Sequence, residues 1–427
     1  MRARLELLIC SLAVGLGVFL RLFRFWTPSL WLDELGTAHV ASAPDWATLL
    51  ARCRFEHHPP LHYVVAKAFL VLGHHEFFLR LPSVLFGLGS LALVMILVTR
   101  VAGLRGGLYA GAIWALNSRV LIHSQDGRMY AQALFLTLAS VYLMIRVLEG
   151  AGRPHLIAYG LVTVGAGYTH ILFTSVLGAG IAATLLCGRF GPERPANLRP
   201  LLWSQGLAVL AFTPLLPLAR TMGEGRQALY GWIERPDLAW FMDFLSWPEV
   251  AFVSVLAPGL LLAWRKRRQA QPRTTSHLAL ASFGAINLSI WPAAILLALA
   301  GPVNLLQPRY LLLPLLGLLL LAGFVMARFD EPLLRGGLCV YLALGAWFQI
   351  RVAREFGPWV GILPKQEWRA ANAWIRERCQ PGDAVLLRSG LTPVRTIAPD
   401  APGVQAFLSS PPTTQTIAIN ITECVTL

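Results

Sequence analysis

The sequence is poor in charge, and poorest in lysine. Charged residues make up 14% of its 427 residues, against roughly a quarter in a typical soluble domain. The lysines are Lys67, Lys266 and Lys365 alone, so the net charge of +14 comes almost wholly from arginine. Hydrophobic residues make up 56%. This composition excludes an ordinary soluble domain and predicts a membrane protein, whose arginines reflect topology rather than a nucleic-acid partner.

Motifs for disulfides, structural metals and nucleotides are also missing. The six cysteines include no CxxC pair and no metal-type spacing, which argues against a disulfide framework or a zinc site. The chain lacks the GxxxxGK[ST] loop that holds nucleotide phosphates. The loops between its apolar runs are short and basic, with no room for a nucleotide-sugar domain. We therefore expect no nucleotide substrate.

Long apolar runs recur along most of the chain. A helix needs about 20 apolar residues to cross a bilayer. We predict eleven spans, at residues 7–25, 79–99, 106–122, 129–148, 155–169, 170–187, 201–219, 247–264, 278–300, 309–327 and 334–351. The first run resembles a signal peptide, with Ala41-Ser42-Ala43 as a cleavage-like site. That site lies far beyond the apolar core, so we interpret the run as an uncleaved anchor.

The distribution of basic residues predicts the orientation. The side of the membrane with more arginine and lysine stays in the cytoplasm. A cytoplasmic N-terminus places the Arg265–Arg268 cluster and most other loop arginines inside. If the 15-residue apolar segment 59–73 crossed the membrane, every later loop would lie on the opposite side, and the Arg265–Arg268 cluster would face outward. We therefore predict that this segment, which carries Lys67, is a helix lying at the outer membrane surface.

Charged and polar residues that are costly beside apolar spans fall on the predicted outer face. They come from four separate loops. The candidate site residues are Asp33, Glu34, Glu56, His57, His58, Arg80, Asp126, Arg128, Tyr130, His170, Arg309 and Tyr310. Four loops contributing such residues on one side predict an extracytoplasmic cavity.

Each candidate also has an ordinary explanation. Asp33 and Glu34 could be a solvated acidic pair, or could act as a general base and an orienting group. Glu56 with His57 and His58 could bind a divalent ion, but histidines before Pro-Pro are often turn residues. His170 could be a ligand or a hydrogen-bonded histidine at a helix end.

The arginines have two interpretations of the same kind. Arg128 and Arg309 could anchor the chain to lipid headgroups. The guanidinium group also suits phosphate, because its planar fork donates two parallel hydrogen bonds. Carboxylates and arginines in one cavity would fit chemistry on a phosphorylated lipid.

The order and spacing of several motifs resemble those of the GT-C membrane glycosyltransferases, in particular the bacterial branch that is protein mannosyltransferase-like and aminoarabinose-transferase-like. The resemblance runs from about residue 5 to residue 385. The segments that carry it are LWLDE at 30–34, HPPLHY at 58–63, EFFLRLPS at 76–83, GRMYA at 127–131, YTH at 168–170 and QPRY at 307–310.

The resemblance implies an all-α polytopic membrane enzyme, with about eleven transmembrane helices and surface helices in the first outer loop. Such an enzyme moves a sugar from a polyprenyl-phosphate carrier to an acceptor on a lipid, glycan or protein. The resemblance places the catalytic carboxylate on Asp33, beside Glu34. It also implies that Arg128, Tyr130, Arg309 and Tyr310 hold the lipid phosphate and close the cavity.

The resemblance extends to substrate and metal contacts. It implies a substrate or metal contact for the Glu56 and His-Pro-Pro segment, and a divalent ion could bind Glu56, His58 and His170. The reaction expected from these residues is a direct displacement with inversion at the anomeric carbon. Asp33 is the base, and Arg128 and Arg309 stabilise the leaving phosphate.

The chain divides into two predicted parts in the cell (inner or plasma) membrane. Residues 1–352 form the transmembrane catalytic domain, in which 26–78 is the first outer loop. Residues 353–427 form a small extracytoplasmic α/β segment, with a helix at Trp368–Arg378, a turn at Pro381–Asp383 and a strand at Ala384–Leu387.

Two other classes of protein have similar span counts. A secondary transporter should place polar residues and helix breaks near the middle of the membrane, in two related halves. In this sequence the charges gather at one face, and no internal repeat is visible. A lipid-linked glycan ligase or polymerase would act on the same side of the membrane, but is expected to depend on arginine and histidine rather than an early Asp-Glu pair.

Overall fold

The chain folds into a helical bundle with short helices at one end. A computed structural model describes residues 2–56, 58–73, 76–224, 274–290, 309, 312–328 and 332–355. The helices are α1 (Arg2–Leu22), α2 (Leu32–Ala41), α3 (Trp46–Phe55), α4 (Leu61–Leu70), α5 (Glu76–Leu116), α6 (Ser118–Ser124), α7 (Tyr130–Leu148), α8 (Arg153–Thr169), α9 (Ser175–Phe190), α10 (Leu198–Ala211), α11 (Leu216–Glu224), α12 (Thr275–Leu288), α13 (Leu312–Arg328) and α14 (Pro332–Glu355). Short 3-10 turns at Ile171–Thr174 and Thr213–Leu215 precede α9 and α11. Within the described residues the protein contains no strand.

The predicted spans agree with these helices where the structure describes them. Among the described residues, five helical segments are long and apolar enough to cross a membrane: Arg4–Leu22, Glu76–Leu116, Tyr130–Leu148, Ile171–Phe190 and Leu198–Arg220. The span predicted at 247–264, part of that at 278–300, and the predicted C-terminal α/β segment lie outside the described residues. The all-α multi-pass architecture is confirmed.

The two spans predicted at 79–99 and 106–122 are the two arms of α5. The chain reverses between them at Gly103, whose φ of 79° lies in the left-handed region that favours glycine. The second arm ends at Leu116, six residues earlier than predicted, because Asn117 begins a new helix by accepting the Val120 N–H.

Helix α5 is the centre of the bundle, and α1, α7 and α13 pack against it. Small residues allow these helices to come close. A Cβ on Gly17 of α1 would lie 2.5 Å from the Cβ of Ala115. A Cβ on Gly323 of α13 would lie 2.4 Å from that of Ala110. These contacts fix the second arm of α5 against α1 and α13, whereas Gly87 in the first arm lies close to Ser124 of α6, where an added Cβ would be 2.5 Å from the Ser124 Cβ.

The segment 26–78, predicted to be the first outer loop, contains short helices where surface helices were expected. The segment predicted as a surface helix at 59–73 forms α4, and α2 and α3 precede it. Helix α4 packs against α2, α5 and α8 and buries His62, Tyr63, Ala66 and Leu70. The loop is therefore a folded cap on the bundle rather than a solvated linker.

Charged groups occupy both ends of the bundle. At one end, here called the site end, lie the start of α2, the start of α5, the loop 125–129 and the end of α8. At the opposite end, Glu149 accepts hydrogen bonds from Arg100 at 2.7 Å and from Ser276 at 2.8 Å. Arg335 lies 3.4 Å from Glu6 at that same end.

Candidate active site

Four separate parts of the chain bring polar side chains together at the site end. Asp33 is in the first turn of α2, and its Oδ2 accepts a hydrogen bond from Arg309 Nη1 at 2.9 Å. The backbone carbonyl of Asp33 accepts from Arg128 Nη1 at 2.8 Å. Arg128 Nη2 lies 3.4 Å from His58 Nε2. Residues 58, 128 and 309, which sequence analysis placed in three different loops, therefore surround one turn of helix.

The Asp33 carboxylate is partly open to solvent. Its side chain and that of Arg309 are each 22% exposed. An ion pair at such exposure forms and breaks at low cost, because water can replace either partner. Asp33 is thus a carboxylate that an incoming ligand can reach, beside a guanidinium that the ligand can also reach.

The adjacent carboxylate, Glu34, is completely buried and fully hydrogen-bonded. Its Oε1 accepts from Arg80 Nε at 2.7 Å and from the Gly127 N–H at 2.8 Å. Its Oε2 accepts from Arg80 Nη2 at 2.6 Å and from the Trp31 N–H at 3.3 Å. Both side chains of the Glu34–Arg80 pair are 0% exposed. This geometry argues against the expected direct catalytic role for Glu34.

Arg80 was expected to bind substrate, and its geometry argues against that role as well. Besides the two bonds to Glu34, Arg80 Nη1 donates to the carbonyls of Phe25 at 3.0 Å and Pro28 at 2.8 Å. Arg80 Nη2 donates to the Ser29 carbonyl at 3.0 Å. A guanidinium has five N–H donors. All five are used, so Arg80 has none left for a phosphate.

Arg128 has hydrogen-bonding capacity in reserve. Its side chain is buried, and Nη1 also donates to Thr37 Oγ1 at 3.0 Å. Its Nε has no hydrogen-bond partner among the described residues. Burial acts to lower the pKa of Arg128, but the opposing charge of Asp33 contributes to a net rise. The guanidinium is therefore cationic and able to hold an anion.

His58 is a neutral imidazole at the edge of this group. Burial, followed by the charges of Arg128 and Arg309, lowers the pKa of His58 well below its usual value. Because arginine can only donate, the contact with Arg128 makes His58 Nε2 the acceptor and places the ring proton on Nδ1. His58 Nδ1 has no hydrogen-bond partner among the described residues. The Nδ1–H group is therefore a buried donor without a described acceptor.

A row of rings extends from His58 into the bundle. The centroids of His58 and His170 lie 5.6 Å apart, those of His170 and Tyr130 also 5.6 Å, and those of Tyr130 and His123 4.5 Å. His170 Nδ1 accepts from the Leu172 N–H at 3.2 Å. His170 is thus a hydrogen-bonded histidine at a helix end, which is one of its two sequence interpretations.

Asp126 and Glu56 flank the site. Asp126 is buried, accepts from Trp31 Nε1 at 2.8 Å and lies 3.7 Å from His123. Glu56 ends α3, and its carboxylate lies against α2, where a Cβ on Gly36 would be 3.4 Å from Glu56 Oε2. Asp126 therefore supports the site from within, whereas Glu56 borders it.

The metal set suggested by the sequence is not assembled in the described residues. Among them, no three His, Cys, Asp or Glu side chains lie close enough to hold a metal ion. This includes Glu56, His58 and His170, so the structure gives no support to a metal site there. His57 and Tyr310 lie outside the described residues.

Three supporting residues were missed by the sequence analysis. Thr37 accepts from Arg128, and both Trp31 and Gly127 donate backbone N–H groups to Glu34. Thr37 follows Asp33 by one helical turn, a spacing that places both on one face of α2 and could have suggested it. Nothing in the sequence marks the backbone donors.

Comparison with known proteins identifies the fold. Residues 57–217 match the family model of dolichyl-phosphate-mannose-protein mannosyltransferases. ArnT from Cupriavidus metallidurans has a similar structure. Its complex with undecaprenyl phosphate matches with a TM-score of 0.53 and 15% identity, over 83% of this chain and 65% of ArnT. Its apo state matches with a TM-score of 0.54 and 15% identity, over 83% of this chain and 66% of ArnT.

The archaeal oligosaccharyltransferase AglB from Archaeoglobus fulgidus, in complex with an inhibitory peptide and a dolichol-phosphate, is similar with a TM-score of 0.50 and 12% identity over 89% of this chain and 59% of AglB. The chain spans less than two thirds of the length of ArnT and of AglB. No curated protein sequence matches it significantly. These comparisons show that the helical fold of this chain is similar to that of ArnT and AglB, and that residues 57–217 resemble the mannosyltransferase family.

Proposed function

We propose that the protein transfers a sugar from a polyprenyl-phosphate carrier to an acceptor hydroxyl, with Asp33 as the general base. The observation that carries the proposal is the contrast between adjacent carboxylates. Glu34 is buried in an ion pair with Arg80. Asp33 is partly exposed, pairs with Arg309 through its side chain and accepts a hydrogen bond from Arg128 through its backbone carbonyl. A base must come within hydrogen-bonding distance of the proton that it removes, and the partly exposed Asp33 carboxylate is accessible to an acceptor hydroxyl whereas Glu34 is not.

Arg128, Arg309 and His58 are the proposed phosphate site. Arg309 can turn from Asp33 to a phosphate because both side chains are partly exposed. Arg128 offers its unpartnered Nε, and His58 offers the Nδ1 proton. A polyprenyl phosphodiester is an anion, so two cations and a neutral donor suit it.

The proposed reaction is a single displacement. The acceptor oxygen attacks the anomeric carbon from the face opposite the carrier and gives its proton to Asp33. The bond from the anomeric carbon to the phosphate oxygen breaks, and the carrier leaves as polyprenyl phosphate. The arginines stabilise the negative charge that develops on the leaving oxygen. One attack on one face inverts the anomeric configuration, and no second carboxylate is required.

The proposed orientation places this site on the outer face of the cell membrane, with the N-terminus in the cytoplasm. Arg100, Arg146 and Arg335 lie at the opposite end of the bundle, and the side richer in arginine faces the cytoplasm. The acceptor is then a lipid, a glycan or a protein hydroxyl exposed on the outer side.

The decisive experiment is transfer from a panel of radiolabelled polyprenyl-phosphate sugars by membranes that contain wild type, Asp33→Asn or Asp45→Asn. Asp45 is an exposed helix cap that accepts from the Thr48 N–H, and asparagine preserves such a cap. We expect labelled product from wild type and Asp45→Asn and at least a 100-fold loss in Asp33→Asn, roughly the contribution of a general base. Equal labelling by all three proteins would remove Asp33 from the reaction.

Two further arms address the alternative functions. Lipid-linked oligosaccharides in the panel identify a ligase or polymerase by transfer of the whole glycan. Labelled carrier that crosses sealed vesicles without chemical change identifies a transporter. Either result, without transfer of a single sugar, would contradict the proposed activity.

A further inference from the structure

The buried Glu34–Arg80 ion pair takes no direct part in the proposed reaction, yet it contacts both sides of the site. Its two groups approach to 2.6 Å at 0% exposure. Burying two charges costs free energy that their attraction alone need not recover. A pair of apolar residues would often stabilise the fold equally well. The pair is therefore better explained by the arrangement that it enforces than by stability.

Arg80 fixes the approach to helix α2. It lies in the second turn of α5 and donates to three carbonyls in the preceding loop, those of Phe25, Pro28 and Ser29. Its two bonds to Glu34 fix the first turn of α2 in the same frame. The guanidinium thus anchors the loop and the helix to the central helix of the bundle.

Glu34 extends this connection to a second loop. Its Oε1 accepts the Gly127 N–H at 2.8 Å. Gly127 is packed tightly there, because a Cβ on it would lie 3.3 Å from Glu34 Oε1. Arg128 follows Gly127, and Asp33 precedes Glu34. The carboxylate therefore contacts the immediate neighbours of the proposed base and of one proposed phosphate ligand.

We infer that Glu34 and Arg80 are positioning residues that hold Asp33 and Arg128 in a fixed mutual geometry. This inference rests on the proposed function. A base and a phosphate ligand must meet one substrate at the same time, and a displacement of about 1 Å can cost roughly 100-fold in rate. The pair supplies a rigid, desolvated link between the two loops.

The test compares Glu34→Gln with Glu149→Gln in full-length protein in lipid nanodiscs. Both substitutions remove the carboxylate charge from a Glu–Arg pair, but Glu149 pairs with Arg100 at the opposite end of the bundle. For Glu34→Gln we expect kcat per folded molecule to fall by about 100-fold. We also expect faster amide hydrogen exchange in peptides covering 29–41 and 124–131. Glu149→Gln should change neither quantity.

The pH–rate profile separates positioning from simple destabilisation. Removal of the Glu34 charge leaves Arg80 with only the weaker attraction of Asp126 and Glu76, so the electrostatic potential at the neighbouring Asp33 becomes more positive. A nearby cation favours the ionised form of a carboxylate, so the acidic limb of the profile should move to lower pH in Glu34→Gln. A merely destabilised protein would lose active molecules but keep the wild-type profile.

A second variant covers the case in which Glu34→Gln does not fold. Glu34→Asp keeps the charge but withdraws the carboxylate by about 1.5 Å, one carbon–carbon bond, so it cannot reach both Arg80 and the Gly127 N–H. It should reproduce the loss of kcat and the faster exchange.

Three results would overturn the inference. They are wild-type kcat in either Glu34 variant, wild-type exchange in the two peptides, and abolished transfer in Glu34→Gln with transfer retained in Asp33→Asn. The exchange measurement does not depend on activity. If wild type transfers no sugar, the proposed function fails, while the exchange result still decides whether Glu34 links the two loops.

Discussion

Replacement of Arg309 by glutamine should separate activity from stability. Arg309 Nη1 lies 2.9 Å from Asp33 Oδ2, with both side chains 22% exposed. The Coulomb attraction at this distance is about 1.4 kcal/mol in water and about 6 kcal/mol at an effective dielectric constant of 20. The side-chain ordering that holds such a pair together offsets most of this, and partly exposed pairs contribute about 1 kcal/mol or less to stability.

The expected effect on the reaction is much larger. Removal of one group that stabilises developing negative charge costs roughly 100-fold to 1000-fold in kcat, about 3 to 4 kcal/mol. Arg309→Gln should therefore lower kcat by about that factor while Tm falls by only about 2 °C. Arg309→Lys should recover part of the loss, because lysine keeps the charge but not the planar fork that binds phosphate through two bonds.

The assay is single-turnover transfer from the radiolabelled donor that wild type accepts, with Tm measured on the same nanodisc samples. Arg335→Gln is the matched control. It breaks a partly exposed ion pair to Glu6 at 3.4 Å, far from the site. The reasoning is refuted if Arg309→Gln transfers sugar within about threefold of wild type. It is also refuted if Arg335→Gln loses as much activity as Arg309→Gln.

Three further predictions concern the support of the site. Gly17→Val should lower the free energy of unfolding by about 1 to 3 kcal/mol, because the added side chain meets Ala115, and thermal unfolding will measure this. Trp31→Phe removes the 2.8 Å bond to buried Asp126 and should cost about 1 to 3 kcal/mol by the same measurement. The third prediction concerns pH. The pKa of His58 is lower in the folded protein than in the unfolded chain, so protonation favours the unfolded chain. The free energy of unfolding is therefore highest above the unfolded pKa of about 6.5 and decreases as the pH falls. Between about pH 7.5 and pH 5.5 the decrease in Tm should therefore be smaller in His58→Gln than in wild type, and an equal decrease would contradict this.

The sequence was sufficient to predict the bundle but not the roles of adjacent residues. The apolar runs predicted the helices, and the reversal between the runs at 79–99 and 106–122 occurs at Gly103. Hydrophobic length and glycine conformation are local properties, so a sequence can report them. Asp33 and Glu34 are also local neighbours, but their different burial depends on Arg80, which lies 46 residues away.

The candidate list named several residues that the structure brings together, but it did not distinguish their roles. It brought Asp33, Arg128 and Arg309 to one place because charges near a membrane border are costly unless they are paired or used. That argument does not distinguish pairing from use. All the N–H donors of Arg80 are hydrogen-bonded, whereas only some of those of Arg128 are. Three of the acceptors for Arg80 are backbone carbonyls, which cannot be predicted from residue type.

Hydrogen-bonding capacity is therefore the property that distinguishes Arg80, which is fully used in structural contacts, from the two arginines that we propose as phosphate ligands. Each of the five N–H donors of Arg80 already has an acceptor. A phosphate could therefore bind Arg80 only by breaking its hydrogen bonds to Glu34 or to the carbonyls of the loop before α2. Arg128 keeps its Nε without a partner in the described part of the chain. Arg309 pairs with the partly exposed carboxylate of Asp33, and we propose that a phosphate competes with this carboxylate. In the proposed reaction, the phosphate of the donor binds these two arginines, and its binding to Arg309 releases Asp33 to act as the base for the acceptor hydroxyl.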